Sequence, residues 1–261
     1  MSSVSTARIL VANDDGIHAP GIRYLEEVAR TLSDDVWVVA PESEQSGAGH
    51  SLTLTEPLRL RRVEEKRWAV RGTPTDCVMI AVNHIMKDNR PTLILSGINR
   101  GANIAEDVTY SGTIAAAMEG TLAGIPSIAL SQAVKPAPEP TDWTASRRHA
   151  ADTIRAVLEN GWPEGVLINI NFPSCGDKAV KGIRVTGQGR RDLGHLRVDQ
   201  RHDTRGVPYY WFALSRDPGQ PGEETDLKYV REGWISITPL HLDLTHQETR
   251  HALALRLERV F

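Results

Sequence analysis

The chain has 261 residues, of which 40% are hydrophobic and 24% are charged, and its formal net charge at pH 7 is -3. This length can bury a large core, and the composition argues against a disordered or fibrous protein. The small negative charge gives no long-range attraction for polymeric nucleic acid or for an acidic membrane, so we expect neither as a partner.

Short apolar runs alternate with helical patterns in the first half of the chain, which is typical of a parallel sheet wrapped by helices. Buried strands are predicted at Ile9–Ala12, Val36–Ala40, Leu93–Ser96 and Ser127–Leu130. Helical spacing predicts intervening helices at Ile22–Leu32, Cys77–Ile85 and Thr113–Ala123. Functional side chains in such a fold gather at the carboxyl ends of the strands.

A proline-rich run at Lys135–Pro140 predicts an extended connection and a boundary between two parts of the chain. The first part is then residues 1–134, which carry the catalytic core, and the second is residues 135–261. A helix over 142–160 and a strand at Val166–Phe172 continue the α/β core to about residue 180.

The last eighty or so residues, about 181–261, are rich in glycine, proline and charge. Strand-like pieces at Tyr209–Leu214 and Trp234–Thr238 predict hairpins that stand off the main sheet and are suited to subunit contacts. Trp211 and Trp234 lie on these pieces, and we interpret them as packing or interface residues rather than base-stacking platforms.

The two cysteines, Cys77 and Cys175, exclude a disulfide framework and a cysteine-rich zinc site. No stretch approaches the roughly 18 apolar residues of a membrane span. Residues 1–7 lack the basic start and apolar run of a secretory signal. The sequence therefore predicts a cytoplasmic protein.

Asn13-Asp14-Asp15-Gly16 directly follows the first predicted strand. Adjacent carboxylates on a regular strand point to opposite faces, so both aspartates can serve one site only if the chain turns there. Gly16 permits that turn. One interpretation is a polar turn that leads into a helix. The other is a site for a hard cation such as Mg²⁺ at the edge of the sheet.

The loop Pro41–Ser51 follows the second strand and emerges at the same edge, so its hydroxyls can reach Asp14. It could equally be a solvated connection with serine as a turn former. His50 in this loop is either a general acid or simply exposed. Asp76, just before the helix that contains Cys77, is interpreted as an N-cap or first-turn acid that could also shape the substrate pocket.

A third polar segment, Ser96–Asn103, follows the strand at Leu93–Ser96, and Asn99 in it offers a neutral oxygen ligand for a cation. Ser111-Gly112-Thr113 opens an alanine-rich helix, where free N–H groups bind phosphate or are capped by a hydroxyl. Oxygen-rich segments thus follow three strands at one edge, which favours a common site.

Motifs for several other activities are absent from the sequence. No GxGxxG follows the first strand and no GxxxxGK[ST] occurs, which argues against dinucleotide binding and P-loop chemistry. There is no GxSxG elbow for acyl transfer. Two aspartates separated by one residue, as in aspartyl-phosphate phosphatases, are also missing after the first strand, because Asp14 is followed by Asp15 and Gly16.

Together, these segments resemble the SurE family of survival-protein nucleotidases, and the order of the motifs is the same. The resemblance rests on Asn13–Gly16, Pro41–Ser51, Gly72–Cys77, Ser96–Gly101, Tyr110–Thr113 and Ile235–Leu240. It implies a Rossmann-like α/β core with a mostly parallel sheet flanked by helices, plus a projecting C-terminal hairpin or arm region. It also implies a homodimer or homotetramer.

The resemblance further implies one divalent cation per subunit, Mg²⁺ or Mn²⁺, with Asp14, Asp15, Ser46 and Asn99 as its ligands. The residues that correspond to the phosphate side of the family's site are Asn103, Ser111, Gly112 and Thr113. Two departures from the family pattern are Ala12, where Ser or Thr is usual, and Lys228, where a small residue is usual.

We therefore expect a metal-dependent phosphatase that hydrolyses nucleoside 5′- and 3′-monophosphates, with short-chain polyphosphate as a further substrate of some members. Water would attack directly, with Asp14 or Asp15 as candidate base. One alternative is a nonenzymatic sensor that binds metal and nucleotide and signals through its C-terminal arms. The other is a nicotinamide-dependent oxidoreductase, which the missing glycine motif already weakens.

Overall fold

A computed structural model describes residues 7–135, 138–175, 179–191, 196–214 and 222–258 of the chain. Its strands are β1 (Arg8–Ala12), β2 (Asp35–Pro41), β3 (Arg59–Glu64), β4 (Arg67–Arg71), β5 (Leu93–Arg100), β6 (Ser127–Gln132), β7 (Val166–Phe172), β8 (Ile183–Val185), β9 (Leu196–His202), β10 (Pro208–Leu214) and β11 (Ile235–His241). Its helices are α1 (Pro20–Arg30), α2 (Pro74–Ile80, continued by a π-helical turn at Ala81–Ile85), α3 (Asp107–Tyr110), α4 (Gly112–Leu122), α5 (Thr144–Asn160), α6 (Asp226–Arg231) and α7 (Gln247–Leu257).

The main sheet has nine strands in the order β3-β4-β2-β1-β5-β6-β7-β11-β8, and β9 and β10 form a separate antiparallel pair. The strands from β4 to β7 are parallel to their neighbours, whereas β3 and β11 are antiparallel to β4 and β7. This arrangement confirms the predicted α/β class with a projecting hairpin. Strand order reverses at β1, which lies between β2 and β5, and such a switch point opens a crevice at the carboxyl ends of the strands.

Strand β1 is apolar from Ile9 to Ala12 because helices cover both of its faces there. Ile9 and Val11 belong to one core cluster, which includes residues of α1 and α5. Leu10 and Ala12 belong to a second cluster, which includes residues of α2 and α4. Alternate side chains of a strand point to opposite faces, so a continuous apolar run is what a strand between two helical layers requires.

Two predictions about strands are wrong. Strand β5 does not end at Ser96 but continues to Arg100, with a register shift against β6 between Ser96 and Asn99. The strand near Trp234–Thr238 does not stand off the main sheet, because Ser236–His241 of β11 pairs with β7. Only the β9–β10 hairpin is separate among the described strands.

Residues 136 and 137 of the predicted connection lie outside the described residues, and the division at residue 134 stays a prediction. The edge strands β3 and β4 were not predicted from sequence. In the described ranges, every helix is too short or too polar to cross a membrane.

Candidate metal and phosphate site

The turn after β1, Asn13–Gly16, contacts the loop Pro41–Ser51 that follows β2, which we call the second loop. Asn13 is fully buried, and its Nδ2 donates a hydrogen bond of 2.9 Å to the carbonyl oxygen of Gly16. Gly16 has φ of +97°, and a Cβ there would lie 3.2 Å from the carbonyl carbon of Ser43. A side chain at residue 16 would therefore be strained and crowded, so glycine makes both the turn and the close contact possible.

Asp14 is 4% exposed and lies against the start of α4. Its Oδ1 accepts a hydrogen bond of 2.5 Å from the Thr113 hydroxyl. A Cβ on Gly112 would lie 2.7 Å from the Asp14 Cβ, so the helix approaches as closely as glycine allows. Burial raises the pKa of Asp14 from 3.8 to about 6; the Thr113 hydrogen bond opposes the shift and the charge of Asp15 adds to it.

Asp15 connects the same turn to the end of β5. Its Oδ2 accepts a hydrogen bond of 3.0 Å from the backbone N–H of Arg100. Burial is the main cause that raises the pKa of Asp15. The Arg100 N–H lowers the pKa, the Glu44 carboxylate raises it and the Arg100 charge lowers it. Asp14 and Asp15 therefore contact two different segments from one turn, as a shared site at the edge of the sheet requires.

Asn99 lies within β5, one residue before the N–H that contacts Asp15. Its Nδ2 donates a hydrogen bond of 2.8 Å to the carbonyl oxygen of Gly101. That bond fixes the amide plane through one of its two N–H donors, and the amide oxygen is the atom that can ligate a cation.

Ser46 lies on the second loop, which is joined to the first by a bond of 2.8 Å from the Gln45 N–H to the Asp14 carbonyl oxygen. The Ser46 side chain is exposed, and its hydroxyl donates to Glu44 Oε1 over 2.8 Å. A hydroxyl that donates one bond keeps its lone pairs, so Ser46 can still offer oxygen to a cation.

The residues predicted on the phosphate side divide into two groups. Ser111 caps α4, because its hydroxyl oxygen accepts a hydrogen bond of 3.1 Å from the Ile114 N–H, and Gly112 and Thr113 form the first turn beside Asp14. Asn103 is buried, and its Nδ2 donates to the Ser131 hydroxyl over 3.0 Å. The capping interpretation of Ser111 is confirmed, and phosphate binding by the four residues stays a prediction.

The donor set fits a hard divalent cation. Two carboxylates, a hydroxyl and an amide oxygen are the ligands that Mg²⁺ and Mn²⁺ prefer, and none of them is a zinc-type nitrogen or sulfur. Two neighbouring carboxylates with raised pKa values are costly to ionise together unless a cation compensates them. Asn13 Oδ1, beside them, is buried without a hydrogen-bond partner in the described part of the chain.

His50 and Asp76 lie outside this donor set. The exposed His50 has its Nε2 3.1 Å from Glu119 Oε2, and a role as general acid stays untested. Asp76 forms a capping box with Thr73 at the start of α2 and also accepts a bond of 2.6 Å from the Thr53 hydroxyl, so its predicted first-turn role is confirmed. Among the described residues, no three His, Cys, Asp or Glu side chains gather as a metal cluster.

Sequence reasoning missed a buried carboxylate that holds the segment between Asn99 and α4. Asp226, at the start of α6, is fully buried and accepts N–H bonds from Ala105 (2.9 Å), Gly189 (2.8 Å) and Leu227 (2.7 Å). Thr225-Asp226 is an N-cap signal that could have predicted the helix start. Nothing in the local sequence indicates partners as distant as Ala105.

Comparisons with known proteins show similarity over most of the chain. The model of the family described as "Survival protein SurE" matches residues 9–195. The chain is 57% identical over 253 residues to the 5′-nucleotidase SurE of Parvibaculum lavamentivorans, covering 97% of this chain and 91% of the relative. It is 56% identical over 252 residues to the 5′-nucleotidase SurE of Methylorubrum populi, covering 95% of this chain and 99% of that protein. The crystal structure of the SurE protein from Aquifex aeolicus superimposes with a TM-score of 0.82 at 41% identity, over 96% of this chain and 99% of that one.

Proposed function

We infer that the chain, which belongs to the survival protein SurE family, is a 5′-nucleotidase. We further propose that it is a metal-dependent phosphoric monoester hydrolase. In this proposal it converts nucleoside 5′- and 3′-monophosphates to nucleoside and phosphate. Short-chain polyphosphate is a further substrate. The relatives carry the name 5′-nucleotidase, and the metal, the 3′-monophosphates and the polyphosphate are our extension.

One observation carries the proposal: the proposed cation ligands lie on segments that contact one another directly. The second loop bonds to the backbone of Asp14, and β5 bonds to the carboxylate of Asp15. The Thr113 hydroxyl adds a third link, from α4 to Asp14. Segments from distant parts of the sequence thus meet at the switch point of the sheet, which supports a shared site there.

In this proposal Asp14, Asp15, Ser46 and Asn99 hold one Mg²⁺ or Mn²⁺ per subunit. A divalent cation bound there supplies Lewis-acid stabilisation of the charge on the phosphoryl group and favours ionisation of water. The two carboxylates provide charge that balances the cation, while the hydroxyl and the amide complete the ligand set without further negative charge. That balance leaves the site able to accept a phosphate dianion.

The chain itself positions the substrate and moves a proton. The first turn of α4 presents N–H groups and the positive end of its dipole to phosphate oxygens. Asp14 or Asp15 is the candidate general base that accepts a proton from the attacking water. We propose direct attack by water, so isolation of a phosphorylated enzyme from a single turnover would refute this route.

The proposed assembly is a homodimer or homotetramer formed through the β9–β10 hairpin, and the proposed location is the cytoplasm. The hairpin carries Tyr210 at 59%, Trp211 at 60% and Phe212 at 75% exposure. Aromatic side chains exposed together in this way are typical of an interaction surface. Cys77 and Cys175 are both free, which suits a reducing compartment.

The experiment that tests the function is a phosphate-release assay with AMP, GMP, 3′-AMP and tripolyphosphate. Activity should be abolished by EDTA and restored by Mn²⁺ or Mg²⁺. A protein that binds nucleotide and metal but releases no phosphate would be the sensor considered above. Activity that survives complete removal of divalent cations would contradict the metal proposal while leaving the phosphatase intact.

A further inference from the structure

We infer that Arg100 is a substrate-binding residue whose guanidinium contacts the phosphate of the substrate. This inference rests on the proposed function and adds to it a residue outside the proposed ligand and phosphate-binding sets. Arg100 is the last residue of β5 and directly follows Asn99. Its backbone N–H already bonds to Asp15, so its Cα is fixed beside the proposed cation site.

The side chain of Arg100 is exposed and held at one point. Its Nε donates a hydrogen bond of 2.8 Å to the Thr141 hydroxyl, just before α5. The terminal nitrogens, Nη1 and Nη2, have no hydrogen-bond partner among the residues that the structure describes. An anchored guanidinium with both terminal nitrogens available is the arrangement that binds two phosphate oxygens at once.

The charges around the site also require a positive group. Asp14, Asp15 and Glu44 are acidic, and the charges of Asp15 and Glu44 affect the neighbouring carboxylates. A divalent cation balances two of these charges, and an incoming phosphate monoester dianion then meets a site that is still negative. The charge of Arg100 acts on Asp15 and lowers the pKa of that carboxyl. Arg100 is therefore placed to offset the repulsion.

The crevice at the switch point explains why this position suits a substrate contact. Asp14 and Asp15 follow β1, and Asn99 and Arg100 end β5, which is the strand paired with β1. A ligand in that crevice meets both strand ends. The cation and Arg100 would then hold different oxygens of one phosphate from two sides.

The test measures phosphate binding with and without turnover. We expect Arg100→Gln to raise the KM for AMP about tenfold, the loss of one charge-assisted contact. The constant for inhibition by inorganic phosphate should rise by a similar factor. Arg100→Lys should recover part of the loss, because it keeps the charge but not the two-point contact. The matched control is Arg148→Gln, which removes the same charge from an exposed position on α5 and should change neither constant.

Three outcomes would overturn the inference. The first is an unchanged phosphate inhibition constant and KM in Arg100→Gln. The second is an equal effect of Arg148→Gln, which would mean that only net charge matters. The third is a raised KM for AMP in Arg100→Gln with an unchanged inhibition constant for phosphate, which would place the effect outside the phosphate contact.

The proposed function can fail separately. Calorimetric titration of inorganic phosphate into the Mn²⁺-loaded protein needs no turnover, so it tests Arg100 even if AMP is not hydrolysed. Wild-type protein that binds phosphate tightly but releases none from any nucleotide would contradict the phosphatase, whereas loss of that binding in Arg100→Gln would still support the inference.

Discussion

The Thr113 hydroxyl donates a hydrogen bond of 2.5 Å to Asp14 Oδ1 and thereby joins the first turn of α4 to the end of β1 across 99 residues of sequence. Thr113 is fully buried, so water cannot replace this donor when it is lost. The bond also lowers the pKa of Asp14 against the effect of burial. Thr113 therefore keeps Asp14 oriented and more readily ionised.

Thr113→Val should weaken cation binding with little change in shape. The valine fills the same volume but leaves Asp14 without its donor, so the pKa of Asp14 rises further and a proton competes more strongly with the metal. We expect the Mn²⁺ concentration for half-maximal activity to rise about tenfold, as for the loss of a bond to a charged group. Thr113→Ser keeps the hydroxyl and is the control. Equal Mn²⁺ requirements in the two variants would contradict this role.

Asp14→Asn should abolish hydrolysis and yet stabilise the metal-free protein at neutral pH. A pKa raised from 3.8 to about 6 means that the folded state binds the proton more tightly than the unfolded state. The free energy of unfolding of the wild type therefore falls as pH rises from about 4 to about 6, and stays lower above that range. The difference corresponds to roughly 3 kcal/mol at pH 7.

Urea unfolding in EDTA at pH 4, 5.5 and 7 measures this effect. The amide introduced by Asp14→Asn can still accept the Thr113 hydroxyl bond, so the variant should gain stability over the wild type steadily as pH rises. Asp142→Asn is a control of opposite sign, because hydrogen bonds from Thr144 lower the pKa of Asp142. Its carboxylate stabilises the fold above pH 4 or so, and the variant should lose stability there. If the free energy of unfolding differed between Asp14→Asn and the wild type by the same amount at every pH, burial of the Asp14 charge would not be the cause.

Local sequence was sufficient to predict much of the core. Strand β7 was predicted with its observed limits, Val166–Phe172, and β1 and β2 to within one residue at each end, because buried parallel strands are continuous apolar runs bounded by turn residues. The same reasoning predicted that segments after β1, β2 and near the end of β5 would share an edge. The contacts of Asp14 with the second loop and α4 agree with it.

The wrong predictions for β5 and β11 have a common cause, because local sequence patterns do not determine which distant segments pair. The run Ile235–His241 has the same appearance whether it pairs with β7 or forms a hairpin. Gly97 interrupts the apolar pattern of β5, so the local sequence predicted an end at Ser96. The bond between Asp15 and the Arg100 N–H joins residues 85 apart, and it depends on the strand order of the finished sheet.

The β9–β10 hairpin should control the oligomeric state. Tyr209 to Phe212 are consecutive residues of β10 that are 41%, 59%, 60% and 75% exposed, so both faces of this strand carry exposed side chains in the part of the chain that the structure describes. We expect Trp211→Ser combined with Phe212→Ser to shift the protein from dimer or tetramer towards monomer in sedimentation velocity. Leu122→Ser, at an exposed position on α4, is the control and should sediment like the wild type. A wild-type monomer would contradict the proposed assembly.

Gly112→Ala should disturb the proposed cation site through steric overlap alone. The added Cβ would lie 2.7 Å from the Asp14 Cβ and 2.9 Å from the Pro74 Cγ, distances that require α4 or the Asp14 turn to move. Overpacking of this kind costs about 1–3 kcal/mol of stability, and the displacement acts directly on a proposed cation ligand. We expect at least a tenfold loss of kcat/KM for AMP, since a shift of about 1 Å at a catalytic group can cost a hundredfold. Gly187→Ala is the matched control, because its Cβ would meet nothing within 4 Å. If Gly112→Ala kept full activity and stability, the close packing of α4 on Asp14 would not be needed for function.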